Sequence, residues 1–492
     1  MRPYLKRMIL VISMTAALCL TIPVFLSSDA SAATYSGVAG DDIIWEIDTD
    51  TDTVTFTGTG RMWDGAMSAP LLVSVSHLVI GEGITSVGAS MFNSTFGSGL
   101  MYAQLPSTLE RIEKEAFCGT MIINISIPEN TTFIHPEAFR KTDNLRSITV
   151  DGNNPAYRSV SGVLFTKDMM EIIRYPSAMA GSSYTIPYGV RSIGSYAFES
   201  CVFRELIIPD TTDYISNWAI YGCESMLSIT IPDSVIYMGY GSVAFCSRMG
   251  VITVGDGMAS VTVDMIPNLL TSVRTLNLGK NVSYVDKEVG MSIGLQKITV
   301  DPANPYITAI NGVLYNKGVT EVLIIPGAMT GKYVMPNTVR YIGSGVFQHA
   351  SVTSVTLSES LEAIGSQAFY KNSKISSIKI PKSVKSIGDR AFADCTNLVM
   401  VYFEAVSPPS IGANAFNTNS TKNPEIRVYS SMEPGFLDNY AGSTRVAYYD
   451  SDTAANETEG VTENPVYAVG IAAAAMAGLV FAEIFVSRKQ RL

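Results

Sequence analysis

Along most of the chain one pattern of apolar and polar positions returns: an apolar residue, two variable ones, then apolar, polar, apolar, often closed by proline. Its clearest copy runs from Ile375 through Ile378, Lys379, Ile380 and Pro381, and continues with Val384, Ile387-Gly388, Ala391-Phe392, Cys395 and Leu398. Further copies start at Val75, Leu100, Ile122, Leu145, Phe203, Met226, Met249, Val273, Leu295, Val352 and Leu398. Most lie about 23 residues apart, a period that belongs to stacked repeat architectures. Alternation such as Ile378-x-Ile380 places both isoleucines on one face of a short strand. One such strand cannot bury that face alone. Copies must therefore stack as a parallel sheet, with Val384, Ile387 and Phe392 filling the interior from the return path. Proline ends each strand because it has no N–H to give to the ladder, and the glycine after Ile387 is expected to permit a tight turn.

Two steps in the series are longer. Each contains a weaker copy of the unit, Tyr184-Thr185-Ile186-Pro187 and Tyr333-Val334-Met335-Pro336, so the chain should hold about fourteen rungs, two of them expanded. The expanded segments, near 151–180 and 301–329, also match each other. Asp151-Gly152-Asn153-Asn154-Pro155 corresponds to Asp301-Pro302-Ala303-Asn304-Pro305, and Gly162-Val163-Leu164-Phe165 to Gly312-Val313-Leu314-Tyr315. Alternation around a lysine-containing turn predicts that each forms a β-hairpin projecting from the stack, and the match points to a duplicated block.

The unit resembles the leucine-rich repeat of the BspA type, also called the Treponema pallidum type. The family's pattern is nearly complete from Ile375 to Cys395, and again clear at Val190, Ile193-Gly194, Ala197-Phe198 and Cys201. The resemblance implies a β-rich, right-handed repeat solenoid with short parallel strands over 75–428. It also implies an N-terminal β-hairpin cap within 33–74, built from Ile44–Ile47 and Val54–Met62, and a closing cap over 429–449. Departures fall at Ile220, where phenylalanine is expected, and across Asp256 to Pro267, where the Ala-Phe signal is lost. Proteins of this family are typically microbial surface proteins, some of them similar to adhesins.

The chain ends add targeting expectations. Arg2, Lys6 and Arg7 precede an apolar stretch, and Ala30-Ser31-Ala32 offers a cleavage site, so 1–32 reads as a signal peptide. Val466 to Val486 reads as a transmembrane helix, followed by a basic tail at 487–492 that the positive-inside rule places in the cytoplasm. A processed sorting signal is the alternative for this segment. Gly470, Ala474, Gly478 and Ala482 form a small-residue stripe through which two such helices could pair as a homodimer. The acidic segment 450–465 reads as a flexible stalk. Together these predict a single-pass membrane protein at a prokaryotic cell surface, with an external N-terminal ectodomain.

Net charge and candidate chemistry narrow the function. A formal net charge of −10 argues against a nucleic-acid partner. Removal of the signal leaves Cys118, Cys201, Cys223, Cys246 and Cys395, an odd set that reads as buried thiols, with a Cys201–Cys223 bridge as the alternative. His77, His135 and His349 have no ligand spacing. Asp48-Thr49-Asp50-Thr51-Asp52 begins like a calcium loop but has Thr53 and Thr59 where glycine and glutamate are needed. Glycosylation sequons start at Asn93, Asn124, Asn130, Asn281, Asn419 and Asn456. No nucleophile, phosphate-loop or metalloprotease motif occurs, so neither catalysis nor a cofactor or metal is expected.

The outward strand positions form the best candidate binding surface: Ser147, Thr149, Ser228, Thr230, Thr253, Lys297, Thr299, Ser354, Thr356 and Lys379. A polar ladder on a long sheet suits an extended partner, although threonine is also simply a good strand former. The leading expectation is a surface binding protein, adhesin or receptor-like, for a protein or glycan ligand. A structural envelope component is the alternative, and a surface enzyme a weaker one.

Overall fold

The computed structural model describes residues 34–65, 75–93, 99–405, 409–417, 425–429 and 446–449. The chain divides into two compact units, one comprising Met1–Met226 with Tyr237–Cys246, the other Leu227–Ile236 with Ser247–Leu492. Each is a parallel β-solenoid.

The first unit opens on an antiparallel hairpin, Asp42–Asp48 against Thr53–Arg61, with Thr34–Gly40 on its flank. The long strand Thr53–Arg61 then feeds two ladders at once. Its first half pairs in parallel with His77–Ile80, and its end pairs with Ile84–Val87. Within the hairpin Gly58, at φ 125°, sits against the carbonyl of Asp42, where a side chain would collide. The first ladder continues through Tyr102–Gln104, Asn124–Ile127 and Ser147–Val150, and the second through Arg111–Ile112 and Phe133–Ile134. Each rung therefore crosses the stack twice, once as the apolar-x-apolar strand and once as the two-residue strand ending in isoleucine. Between the ladders the phenylalanines of the Ala-Phe turns stack rung upon rung. Phe92, Phe117 and Phe139 follow one another at 5.6 Å centroid spacing, all buried.

The second unit repeats this construction. Ser228–Ile231, Val251–Val254, Thr275–Leu278 and Lys297–Val300 form one four-stranded parallel sheet. Phe347, Phe369, Phe392 and Phe416 form its later aromatic column, with spacings of 4.4, 4.8 and 5.3 Å. After Met400–Phe403 the ladder continues in parallel through Glu425–Tyr429 and Val446–Tyr449, where a closing cap was expected.

The expanded rungs differ from expectation. Instead of projecting, each forms a three-stranded meander that enters the stack. Tyr157–Val160, Val163–Thr166 and Glu171–Arg174 pair antiparallel, and the last of them pairs in parallel with Ser192–Ile193 to head the short ladder. Ile307–Ile310, Val313–Asn316 and Glu321–Ile324 do the same ahead of Tyr341–Ile342. The reason is hydrophobic: Val163, Leu164, Phe165 and their counterparts Val313, Leu314 and Tyr315 are all buried.

The expected transmembrane helix is corrected. Among the described residues no helix is long and apolar enough to cross a membrane. Their helices are short 3-10 turns such as Pro267–Leu270 and Lys287–Met291, and most of their large apolar side chains are used in the interior of the stack. The segment that carried the expectation, Val466 to Val486 with Gly470, Ala474, Gly478 and Ala482, lies outside the described residues. So do the signal peptide, the stalk and the basic tail. A single-pass topology, a membrane partner and a homodimer through that helix are accordingly not assigned to this chain.

Candidate functional site

Period-two alternation decides what each strand shows to solvent. In Ser228–Ile231 and Val251–Val254, Ile229, Ile231, Ile252 and Val254 are buried, so Ser228, Thr230 and Thr253 point outward. All ten residues expected on this face are exposed or half-buried. They do not form one surface. Ser228, Thr230, Thr253, Lys297 and Thr299 share the four-stranded sheet of the second unit. Ser354 and Thr356 lie on Val352–Thr356, paired with Gly331–Val334, and Lys379 lies on Ser377–Ile380. Ser147 and Thr149 belong to the first unit. There the turn Ser161–Gly162 folds close by, with the Gly162 carbonyl accepting from Ile148 N at 2.8 Å.

Within the four-stranded sheet the register aligns Thr230, Thr253, Asn277 and Thr299 in one column. Asn277 Nδ2 donates to Thr253 Oγ1 at 3.0 Å, and Thr299 Oγ1 donates to Asn277 Oδ1 at 2.6 Å. Parallel in-register pairing produces this order, because equivalent residues of successive rungs stand directly beside each other. Asn277 is the member that the repeat pattern did not single out. Its signal was present, since it occupies the polar position between Leu276 and Leu278. Lys379 is paired with Glu404, which leaves it less free for a ligand than its position suggested.

The other candidate groups sort differently. Among the described residues no group of three or more His, Cys, Asp or Glu side chains could hold a metal ion. Asp48 instead accepts from the Asp50 amide at 2.9 Å in the hairpin turn, which holds its carboxyl below its usual pKa. Among the described residues Cys118, Cys201, Cys223, Cys246 and Cys395 are all free. Cys223 and Cys395 donate to the carbonyls of Phe198 and Phe369 in the preceding rung, at 3.0 and 2.9 Å, and burial pushes the Cys395 thiol up to about 12. Cys201, Cys223, Cys246 and Cys395 are thus interior packing groups, whereas Cys118 is half-buried.

Exposed Tyr214, Tyr237 and Tyr240, with half-buried Trp218, mark another surface of the first unit. Tyr214 stacks on Tyr237 at 4.4 Å, and Trp218 meets Tyr240 edge-on at 4.9 Å. Ile220, the departure from the Ala-Phe pattern, is buried between Phe198 and Val243 in a three-stranded ladder.

A family model described as the BspA type leucine rich repeat region matches residues 72–181, 175–291 and 330–434. No curated protein matches the chain. Solved structures similar to it include a leucine-rich repeat protein from Eubacterium ventriosum, 20% identical, covering 80% of this chain and 97% of its own, with a TM-score of 0.39. The pneumococcal vaccine antigen PcpA is 14% identical and covers 86% of this chain and 100% of its own, with a TM-score of 0.40. A leucine rich cell surface protein from Faecalibacterium prausnitzii is 17% identical, with coverages of 80% and 97% and a TM-score of 0.34. The repeat pattern lies on stacked parallel strands and the family model matches along them: this chain belongs to the BspA-type leucine-rich-repeat family.

Proposed function

We propose that this protein is a non-catalytic surface binding protein, adhesin or receptor-like, that recognises an extracellular protein or glycan through the outward face of its parallel strands. One observation carries the reading: the column Thr230, Thr253, Asn277 and Thr299, whose last three members are joined by side-chain hydrogen bonds across three rungs. Such a column repeats hydrogen-bonding groups at the strand spacing of about 4.8 Å, which suits a ligand that is itself extended. Ordering the side chains in advance lowers the entropy cost of engaging one. Ser228 and Lys297 lie on the same sheet as the column, Ser354, Thr356 and Lys379 give other strands of the second unit a polar outward face, and Ser147 and Thr149 do so in the first unit. Membership of the BspA-type family supports the surface role.

The test is a binding screen of the immobilised full-length protein against extracellular matrix proteins and cell-surface glycans. Saturable binding is expected, weakened about tenfold or more by Asn277→Ala together with Thr253→Ala. Equal binding by that variant would remove the strand face from the mechanism. Self-assembly without any foreign ligand would favour a structural envelope role instead.

A further inference from the structure

In the second unit an open groove of about 790 Å³ runs beside the four-stranded sheet. It is built from successive rungs: Leu227, Arg274 and Gln296 each stand immediately before a strand, and Arg248, Thr271 and Ile293 lie close by in the chain. Part of its lining follows directly on the 3-10 turns Pro267–Leu270 and Lys287–Met291, which form the return path after the Ala-Phe turn is lost: Thr271 adjoins the first, and Ile293 comes two residues after the second. Gly294 lies against the carbonyl of Thr271, where a side chain would collide, so the wall stays bare of a side chain there.

The groove's chemistry is one-sided. No acidic side chain lines it. Arg248 and Arg274 are exposed, and among the described residues neither guanidinium has an ion pair or hydrogen bond. In a chain of net charge −10 two such arginines facing one groove form a local site for negative charge. Leu227 and Ile293, from the first and last of these rungs, remain 47% and 80% exposed although most large apolar side chains of the unit are inside.

We propose that this groove binds an extended acidic peptide segment, with two carboxylates on Arg248 and Arg274 and apolar side chains against Leu227 and Ile293. A guanidinium takes a carboxylate bidentately. Four rungs at about 4.8 Å separation span about 14 Å, the length of about four extended residues. A polyuronate supplies the carboxylates but no apolar side chain for Leu227 and Ile293, so the peptide fits the whole lining better. This site lies beyond the strand-face reading and uses none of its residues.

The experiment is fluorescence anisotropy with the full-length chain and a labelled pentapeptide carrying leucine at both ends and two acidic residues between them. Saturable binding is expected. It should weaken about tenfold with Arg248→Gln or Arg274→Gln, weaken with Ile293→Asn, and fall with rising salt. The amide-substituted peptide should not bind, and Lys382→Gln, which removes a positive charge outside the groove, should leave binding unchanged. No saturable binding, equal binding by both arginine variants, or polyuronate oligomers using these arginines while the peptide does not, would each overturn the proposal. Loss of peptide binding in the arginine variants leaves the strand-face ligand unaffected, so the two readings fail separately.

Discussion

At the scale of single residues, two positions of the repeat pattern carry the backbone requirements. The residue before the Ala of the Ala-Phe turn adopts a left-handed conformation without being glycine, as at Glu115, Tyr196, Gln367, Arg390 and Asn414, with φ between 53° and 58°. The glycine that follows the isoleucine has an ordinary φ but no room. At Gly388 a Cβ would run into the backbone of Ser366, and at Gly412 into that of Asp389, each in the rung before. Glycine is thus needed there for close approach between rungs and not for a tight turn. Gly388→Ala should lower the urea unfolding free energy by about 1–3 kcal/mol through overpacking. Arg390→Gly should leave it unchanged or raise it by up to about 1 kcal/mol, because relief of left-handed strain offsets the added chain entropy. The opposite ranking of the two variants would contradict this assignment.

At the scale of elements, the meanders explain the duplicated Asp-x-x-Asn-Pro segment. Asn304 is fully buried, and its amide donates to the carbonyls of Gly279 and Val282 in the preceding rung, at 3.0 and 2.8 Å. Its carbonyl accepts from the amides of Tyr306 and Ile307 at 2.8 and 3.0 Å, which starts the meander. Asn154 makes the same four bonds, to Pro128, Thr131, Ala156 and Tyr157. Lys167 and Lys317 fold their turns back onto the same loop, reaching the carbonyls of Gly152 and Pro302 at 3.1 and 3.3 Å. Asn304→Ala leaves buried donors and acceptors without partners and should cost about 3 kcal/mol in a denaturant titration. A loss under about 0.5 kcal/mol would show that the loop holds itself.

The match between the blocks is incomplete. Arg174, only 2% exposed, binds the Tyr196 carbonyl at 2.8 Å and the Glu199 carboxylate at 3.2 Å, and Arg140 reaches the same carboxylate at 3.3 Å. At the end of the equivalent strand Glu321–Ile324 the second block has the buried Ile324. The meander therefore does not require a charge at that position.

At the scale of the whole molecule, carboxylates tie neighbouring rungs together and make stability depend on pH. The Lys385 ammonium and then the Arg340 guanidinium hold the Glu362 carboxyl below its ordinary range, and Lys280 does the same to Asp256. The Ser107 amide and hydroxyl lower Glu82. A carboxyl lowered in the folded state is more easily protonated in the unfolded chain. Its stabilising effect is therefore full above the ordinary carboxylate pKa and lost as pH falls through the lowered value. Glu171 runs the other way: burial raises it, so its protonation on acidification favours the folded state and blunts the loss. The thermal midpoint should hold from pH 7 to about 5 and fall below about pH 4, less steeply in high salt. A midpoint that rises through this acid range would contradict the dominance of the lowered carboxylates.

What the sequence determined by itself is whatever one rung repeats. The apolar-x-apolar strands, their parallel stacking and the outward polar face follow from alternation and period, and hydrophobic burial enforces them locally along the repeats, whereas the hairpin at the start was implied by the family resemblance. Other features required the tertiary structure because they depend on which rung lies beside which. The role of Gly388 is set by Ser366, the column through Asn277 by the register of four strands, and the folding-in of the meanders by the interior that Leu164 and Leu314 find. The groove at Arg248 and Arg274 is lined by residues on either side of Asp256 to Pro267, the stretch where the pattern failed. A lost repeat signal shows that a return path changes but not what surface it leaves, since that surface is formed by contacts between residues distant in the chain.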